Sequence, residues 1–205
     1  AIVDSGTFDW AQNDKYPSLA QPEEAYHGLN FYESFGDLAY TTYGHAVGLR
    51  DLGPTMAPMN AYLTIMGIET LALRMEKHVA NAEVVANYLH NHAKVSWVSY
   101  AGLEESNYFH LAKKYLPKGA GSVFTFGIKG GYDAGVKFVE KCQLLSHLAN
   151  IGDTRSLVLH PASTTHRQLT ETQRISAGAG DDVIRLSIGL ETVEDIIADL
   201  EQALR

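Results

Sequence analysis

Two stretches hold residues whose types and spacing could do chemistry. In VIRLSIGLE, strand alternation puts Ile184, Leu186, Ile188 and Leu190 on one face and Val183, Arg185, Ser187 and Gly189 on the other. Arg185 therefore leaves the core face. It reads either as a sheet-surface arginine in a loose ion pair or as a planar, permanently charged fork. Such a fork holds a carboxylate through two parallel hydrogen bonds, a task lysine performs less well. The second stretch, HLANIGDTRSLVLHPASTTH, concentrates small polar residues between short apolar runs, which is unusual for a plain structural strand. Asn150, Ser156, Ser163, Thr164 and Thr165 can cap backbone groups in a turn-rich connector or line a polar site.

Generic motifs are missing elsewhere. GAGDDV has Val183 where a dinucleotide fingerprint needs its third glycine, and neither a serine-hydrolase elbow nor a phosphate-binding P-loop is present. The nine histidines are scattered, and His90 and His92 point to different sides of a helix. A metal site is therefore not expected.

Composition narrows the partners. The chain has 205 residues, 45% of them hydrophobic, enough for a sizeable core. A formal charge of -8 disfavours nucleic acid, whose phosphates call for a basic surface. Small molecules and other protein chains are the expected partners. The single cysteine, Cys142, allows no disulfide framework and points to a reducing compartment. No apolar run approaches the roughly 20 residues of a membrane span.

The elements that would position these residues follow from periodicity. AIVD reads as a strand already under way and suggests a piece of a longer protein. About thirty residues after it, from Ser5 to Gly36, lack a sustained period and read as a long loop, whose aromatics Phe8, Trp10, Tyr26, Phe31, Tyr32 and Phe35 favour packing. From Pro58 to about His92 the apolar spacing predicts one long helix, or two joined near Gly67. The domain boundary is expected within it, giving domains over 1–75 and 76–205. Strands and helices then alternate, closing on a helix from Val193 with Thr192 as its cap and Asp195 three residues on. The expected class is α/β, with an α+β second domain.

The segments GDTRSLVLHPASTTH and VIRLSIGLETVEDIIADLEQAL, with LRDLGPTMAPMNAYLTIMGIETLALRMEKHVANAEVVANYL upstream, resemble the Cys/Met-metabolism family of pyridoxal-phosphate enzymes. The resemblance covers essentially the whole chain. LAKKYLPKGAGSVFTFGIKGG, the aromatic loop from Ser5 to Gly36, and Thr164 where relatives usually carry Met are similar to the family's sulfhydrylase branch. This implies an aspartate-aminotransferase-like (fold type I) architecture. Residues 1–75 would end the large cofactor-binding domain, and 76–205 would form a complete C-terminal substrate-binding domain. It also implies pyridoxal 5'-phosphate as cofactor, conversion of O-acetyl-L-homoserine and sulfide to homocysteine and acetate in methionine biosynthesis, and a cytoplasmic homotetramer.

Carried over by position, Arg185 would grip the substrate's α-carboxylate, Asn150 would stand beside it, and Thr165 would lie near the substrate side chain. Arg50 and Asp51 would approach the site of a neighbouring subunit. The family's Schiff-base lysine lies in an S-x-T-K segment upstream of the opening strand, and no lysine here stands in that context. The upstream half of the enzyme is thus an expected partner, holding most of the cofactor. Other γ-replacement or γ-elimination enzymes of the family, or a non-catalytic oligomerisation fragment, are the alternatives.

Overall fold

The structure is a computed structural model describing residues 3–12 and 14–205. The strand expected over AIVD falls partly on residues 1 and 2, outside the described residues. The chain divides into two compact units, 1–65 and 66–205.

In the first unit, the segment expected as a loop from Ser5 to Gly36 forms short helical turns. These are α1 (Pro17–Ala20), a 3-10 turn at Glu24–Tyr26 and α2 (Phe31–Phe35), and α3 (Ala39–Tyr43) follows beyond it. Phe31 is buried at its centre, with Tyr26 and Tyr43 edge-on to its ring at 5.3 and 5.1 Å. Trp10 stacks on Tyr40 at 5.3 Å, while Phe8 and Phe35 stay exposed. Asn30 caps α2 by accepting a hydrogen bond from Glu33 N. A wide π-type helical turn, Gly44–Asp51, follows α3 and carries Arg50 and Asp51 near its end.

Of the two arrangements expected from Pro58 to His92, the structure shows two helices, α4 (Pro58–Glu69) and α5 (Leu71–His90), with the break at Thr70, three residues beyond Gly67. α4 is apolar around its circumference, yet Met59, Tyr62, Leu63, Ile65, Met66 and Ile68 are all exposed. Helices of that composition are normally buried inside a larger assembly.

In the second unit, α5 is followed by β1 (Val95–Ser99), α6 (Phe109–Tyr115), β2 (Val123–Ile128), α7 (Gly131–Lys141), β3 (Ser146–His147), β4 (Leu157–Leu159), α8 (Glu171–Ser176), β5 (Val183–Ser187) and α9 (Val193–Leu204). The strands form one sheet in the order β1-β2-β5-β4-β3, antiparallel except for the parallel β3–β4 pair. Opposed residues share a face. The rows Val98–Phe126–Ile184 and Phe124–Leu186–Val158 therefore make the apolar layer on which α5, α7 and α9 pack through Leu89, Phe138, Ile196 and Leu200. Cutting a residue such as Leu200 to alanine would cost about 2–5 kcal/mol in transfer and cavity energy.

Helix caps differ from expectation. Thr192 precedes α9 but its hydroxyl makes no cap; the turn closes through its carbonyl, which accepts from Asp195 N at 3.0 Å. The complete capping box belongs to α8, where Thr170 and Gln173 bond reciprocally.

Candidate functional site

Arg185 lies in the middle of β5, between Thr125 on β2 and Leu159 on β4, with Val123, Ser187 and Leu157 forming the next row on the same face. Both faces of β5 are covered, so alternation does not leave one side wet. Val183 and Ser187 are buried, and Arg185 is the strand's one partly buried residue. A polar end on an apolar stem is how arginine occupies such a place.

The turn joining β3 to β4 brings Asn150 to this arginine across 35 positions of sequence. An Arg185 Nη2–H donates to the Asn150 carbonyl at 3.4 Å, while the Asn150 side chain accepts from Ile151 N at 2.9 Å. The contact therefore runs through the Asn150 backbone. Among the described residues no carboxylate forms an ion pair with Arg185; Asp153, three residues beyond Asn150, is engaged by Arg155 at 3.4 Å. Hydrogen bonds from the Arg155 side chain and backbone hold the Asp153 carboxyl below its ordinary range. Arg185 keeps most of its five donors available for an anion.

A cavity of about 10 Å³ adjoins the arginine, lined by Leu148, Asn150, Leu157, Leu159, Arg185 and Ser187. The Ser187 hydroxyl, buried here, has no hydrogen-bond partner among the described residues. Its position two residues from Arg185 was the available sequence signal. The space itself holds about one water; it is the guanidinium donors of Arg185 and the unpartnered Ser187 hydroxyl that suit an acid group.

Thr165 is exposed in the turn after β4, and its hydroxyl bonds the His166 ring at 2.8 Å, not Arg185. Arg50 and Asp51 belong to the first unit. There Tyr26 Oη donates to Asp51 Oδ2 at 2.6 Å, and Arg50 Nε stands 4.0 Å from Asp51 Oδ1 with its side chain largely exposed. The hydrogen bond to Asp51 is the main reason the Tyr26 hydroxyl is harder to ionise than usual. Two larger grooves, of about 370 and 340 Å³, lie along α5 beside the 116–121 turn and contain none of the sequence-predicted site residues.

Sequence reading named Ser156 as a capping side chain but missed Glu191, Asn81 and His78, which hold the two site strands with it. Glu191 accepts hydrogen bonds from Ser156, and the Ser156 hydroxyl accepts from Gly189 N at 2.8 Å. A Cβ on Gly189 would come within 2.5 Å of the Arg155–Ser156 backbone, so this close approach requires glycine. On α5, Asn81 donates to the carbonyls of Gly189 and Glu191, and His78 Nδ1 bonds Ile188 O at 2.6 Å. The exit of β5 is thereby fixed from two sides.

The model of the family "Cys/Met metabolism PLP-dependent enzyme" matches residues 2–205. Homocysteine synthase of Schizosaccharomyces pombe is 51% identical over 99% of this chain and 48% of its own length. O-acetyl-L-homoserine sulfhydrylase 1 of Thermus thermophilus is 46% identical over 100% of this chain and 48% of its own. A Campylobacter jejuni crystal structure described as an O-acetylhomoserine (thiol)-lyase, with N'-pyridoxyl-lysine-5'-monophosphate, aligns with a TM-score of 0.85 at 43% identity, covering 95% of this chain and 46% of that one. The chain spans about half the length of the curated relatives it matches. Among the described residues no helix is long and apolar enough to cross a membrane. With its whole matched length and its mixed α/β fold in agreement, the chain belongs to the Cys/Met-metabolism family of PLP-dependent enzymes.

Proposed function

We propose that this chain is the substrate-gripping half of an O-acetylhomoserine sulfhydrylase, which converts O-acetyl-L-homoserine and hydrogen sulfide to L-homocysteine and acetate. The bond from Cγ to the ester oxygen breaks, acetate leaves with the electron pair, and sulfur takes its place on Cγ. The observation that carries the reading is Arg185, a partly buried arginine in the middle of the sheet with no carboxylate paired to it among the described residues. Such a cation suits the α-carboxylate of an amino acid, and the names of the two relatives supply the substrate class.

In this reading Arg185 anchors the carboxylate, Asn150 shapes its edge and Thr165 faces the substrate side chain. Arg50 and Asp51 serve the site of a neighbouring subunit in a cytoplasmic homotetramer. Residues 1–75 close the cofactor-binding domain and 76–205 form the substrate-binding domain. The lysine that carries pyridoxal phosphate, and most of the cofactor's pocket, belong to the other half of the enzyme. That half also covers the exposed apolar surface of α4.

The test uses the full-length enzyme. Borohydride reduction followed by denaturing mass spectrometry should find a pyridoxyl-lysine outside these 205 residues, and the enzyme should form homocysteine from O-acetylhomoserine and sulfide faster than ketobutyrate from methionine. The reverse preference would make it a γ-lyase; no cofactor and no turnover would leave an oligomerisation module. Arg185→Ala should raise KM for the amino acid about 100-fold, the loss of a charged hydrogen-bonded pair, with cofactor content unchanged.

A further inference from the structure

We propose that His160 is a positioning residue for substrate recognition, with its two ring nitrogens serving different ends. The inference rests on the proposed reading in which Arg185 and Thr165 meet the two ends of one substrate. His160 stands directly between the structures that carry them. Leu159 opposes Arg185 in the sheet, and the turn from Pro161 to His166 begins one residue later.

The His160 ring is fully buried. Its Nε2 lies 2.9 Å from the Asp181 carbonyl, which can only accept, so Nε2 carries the proton. In that tautomer Nδ1 carries a lone pair 2.9 Å from Ser163 Oγ; the hydroxyl also stands 3.3 Å from the His160 carbonyl, and the shorter contact takes its one proton. The His160 carbonyl accepts the Thr164 hydroxyl at 2.7 Å. Pro161 O accepts from Thr164 N at 3.2 Å and from His166 N at 2.9 Å. The turn is thus wound around the His160 ring and the carbonyls of His160 and Pro161. Thr165, exposed and among the described residues bonded only to its neighbour His166, takes its place from that winding.

The space for the ring is built in from α7. A Cβ on Gly135 would stand 2.6 Å from His160 Nε2, and Tyr132 meets the ring edge-on at 5.2 Å. An apolar side chain could fill this volume without desolvating two nitrogens. A buried polar group with every atom satisfied instead specifies one arrangement of its surroundings. Here the Nε2 bond ties the strand end to the Asp181 loop, and the Nδ1 bond sets the turn that presents Thr165.

The test compares His160→Gln, His160→Asn and Ser163→Ala in the full-length enzyme. Glutamine keeps a donor toward Asp181 and loses the acceptor for Ser163; asparagine does the opposite. His160→Gln and Ser163→Ala should each raise KM for O-acetylhomoserine about 5- to 10-fold, the scale of one buried hydrogen bond, with kcat within about twofold and no further loss in the double variant. His160→Asn should raise KM less than His160→Gln while melting lower. That inverted order is foreign to a purely structural histidine. Unchanged KM in His160→Gln and Ser163→Ala, with Arg185→Ala still defective, would overturn the role of His160 alone; unchanged KM in Arg185→Ala as well would overturn the underlying functional reading.

Discussion

The Glu191 carboxylate accepts two hydrogen bonds from one residue, from Ser156 N at 2.6 Å and from Ser156 Oγ at 2.8 Å. Ser156 directly precedes β4 and Glu191 lies four residues beyond β5, so the pair locks the strands at the end where Leu157 opposes Ser187. A slip of one residue there would send Arg185 to the opposite face. Glu191→Gln replaces one charged acceptor oxygen by an amide that cannot accept. The variant should lose about 1–3 kcal/mol of stability, the cost of a stranded partner of a charged group. Denaturant unfolding of the purified protein measures it, and an unshifted midpoint would dismiss the clamp.

Gly135→Ala sets two effects against each other. Alanine in a helix interior gains about 1 kcal/mol over glycine. Its Cβ would meet the buried His160 ring at 2.6 Å, a contact no flexible side-chain end can relieve, and overpacking costs about 1–3 kcal/mol. Packing should win and the melting temperature should fall by a few degrees. A rise would mean that α7 shifts freely away from the strand end.

Asp199 on α9 accepts from the backbone N–H groups of Gln143, Leu144 and Leu145 at 2.8, 2.9 and 3.1 Å, and from Gln202. Burial pushes its carboxyl up, but these donors together outweigh burial and leave it below the ordinary range. The sign follows: a carboxyl depressed in the folded state contributes stability above its unfolded value, about 3.9, and loses it as pH falls through the folded one. Asp199→Asn should be less stable near neutrality and show a shallower acid loss below about pH 4 than the parent. Parallel acid profiles would contradict the assignment.

Cys142 is the only thiol, and burial, assisted by the Asp199 charge, pushes it up to about 12. It donates to the Phe138 carbonyl at 3.4 Å. Because the thiolate is the reactive form, iodoacetamide at pH 8 should leave the folded protein unmodified and alkylate it fully in denaturant. Rapid labelling without denaturant would show that the end of α7 opens readily.

How much was legible without coordinates depended on the range of each signal. The strand–helix alternation of the second unit, α9 and the separation of Arg185 from Ile184 and Leu186 are written in side-chain periodicity within a few residues. The family was legible because its segments run the length of the chain. The helix break was legible only as one of two alternatives and to within three residues, while the cap at Thr170 and the helical turns within residues 17–43 were not legible, since packing overrides weak local preferences there. Contacts between residues distant in sequence were least visible of all. Arg185 reaches Asn150, Glu191 holds Ser156 and His160 holds Asp181 because strands far apart in sequence adopt one register. The amino-acid order by itself determined which side chains could serve a carboxylate site and on which strand face they stand. Only the tertiary structure decided which of them meet, because hydrogen bonds across dozens of residues depend on strand pairing that local spacing does not encode.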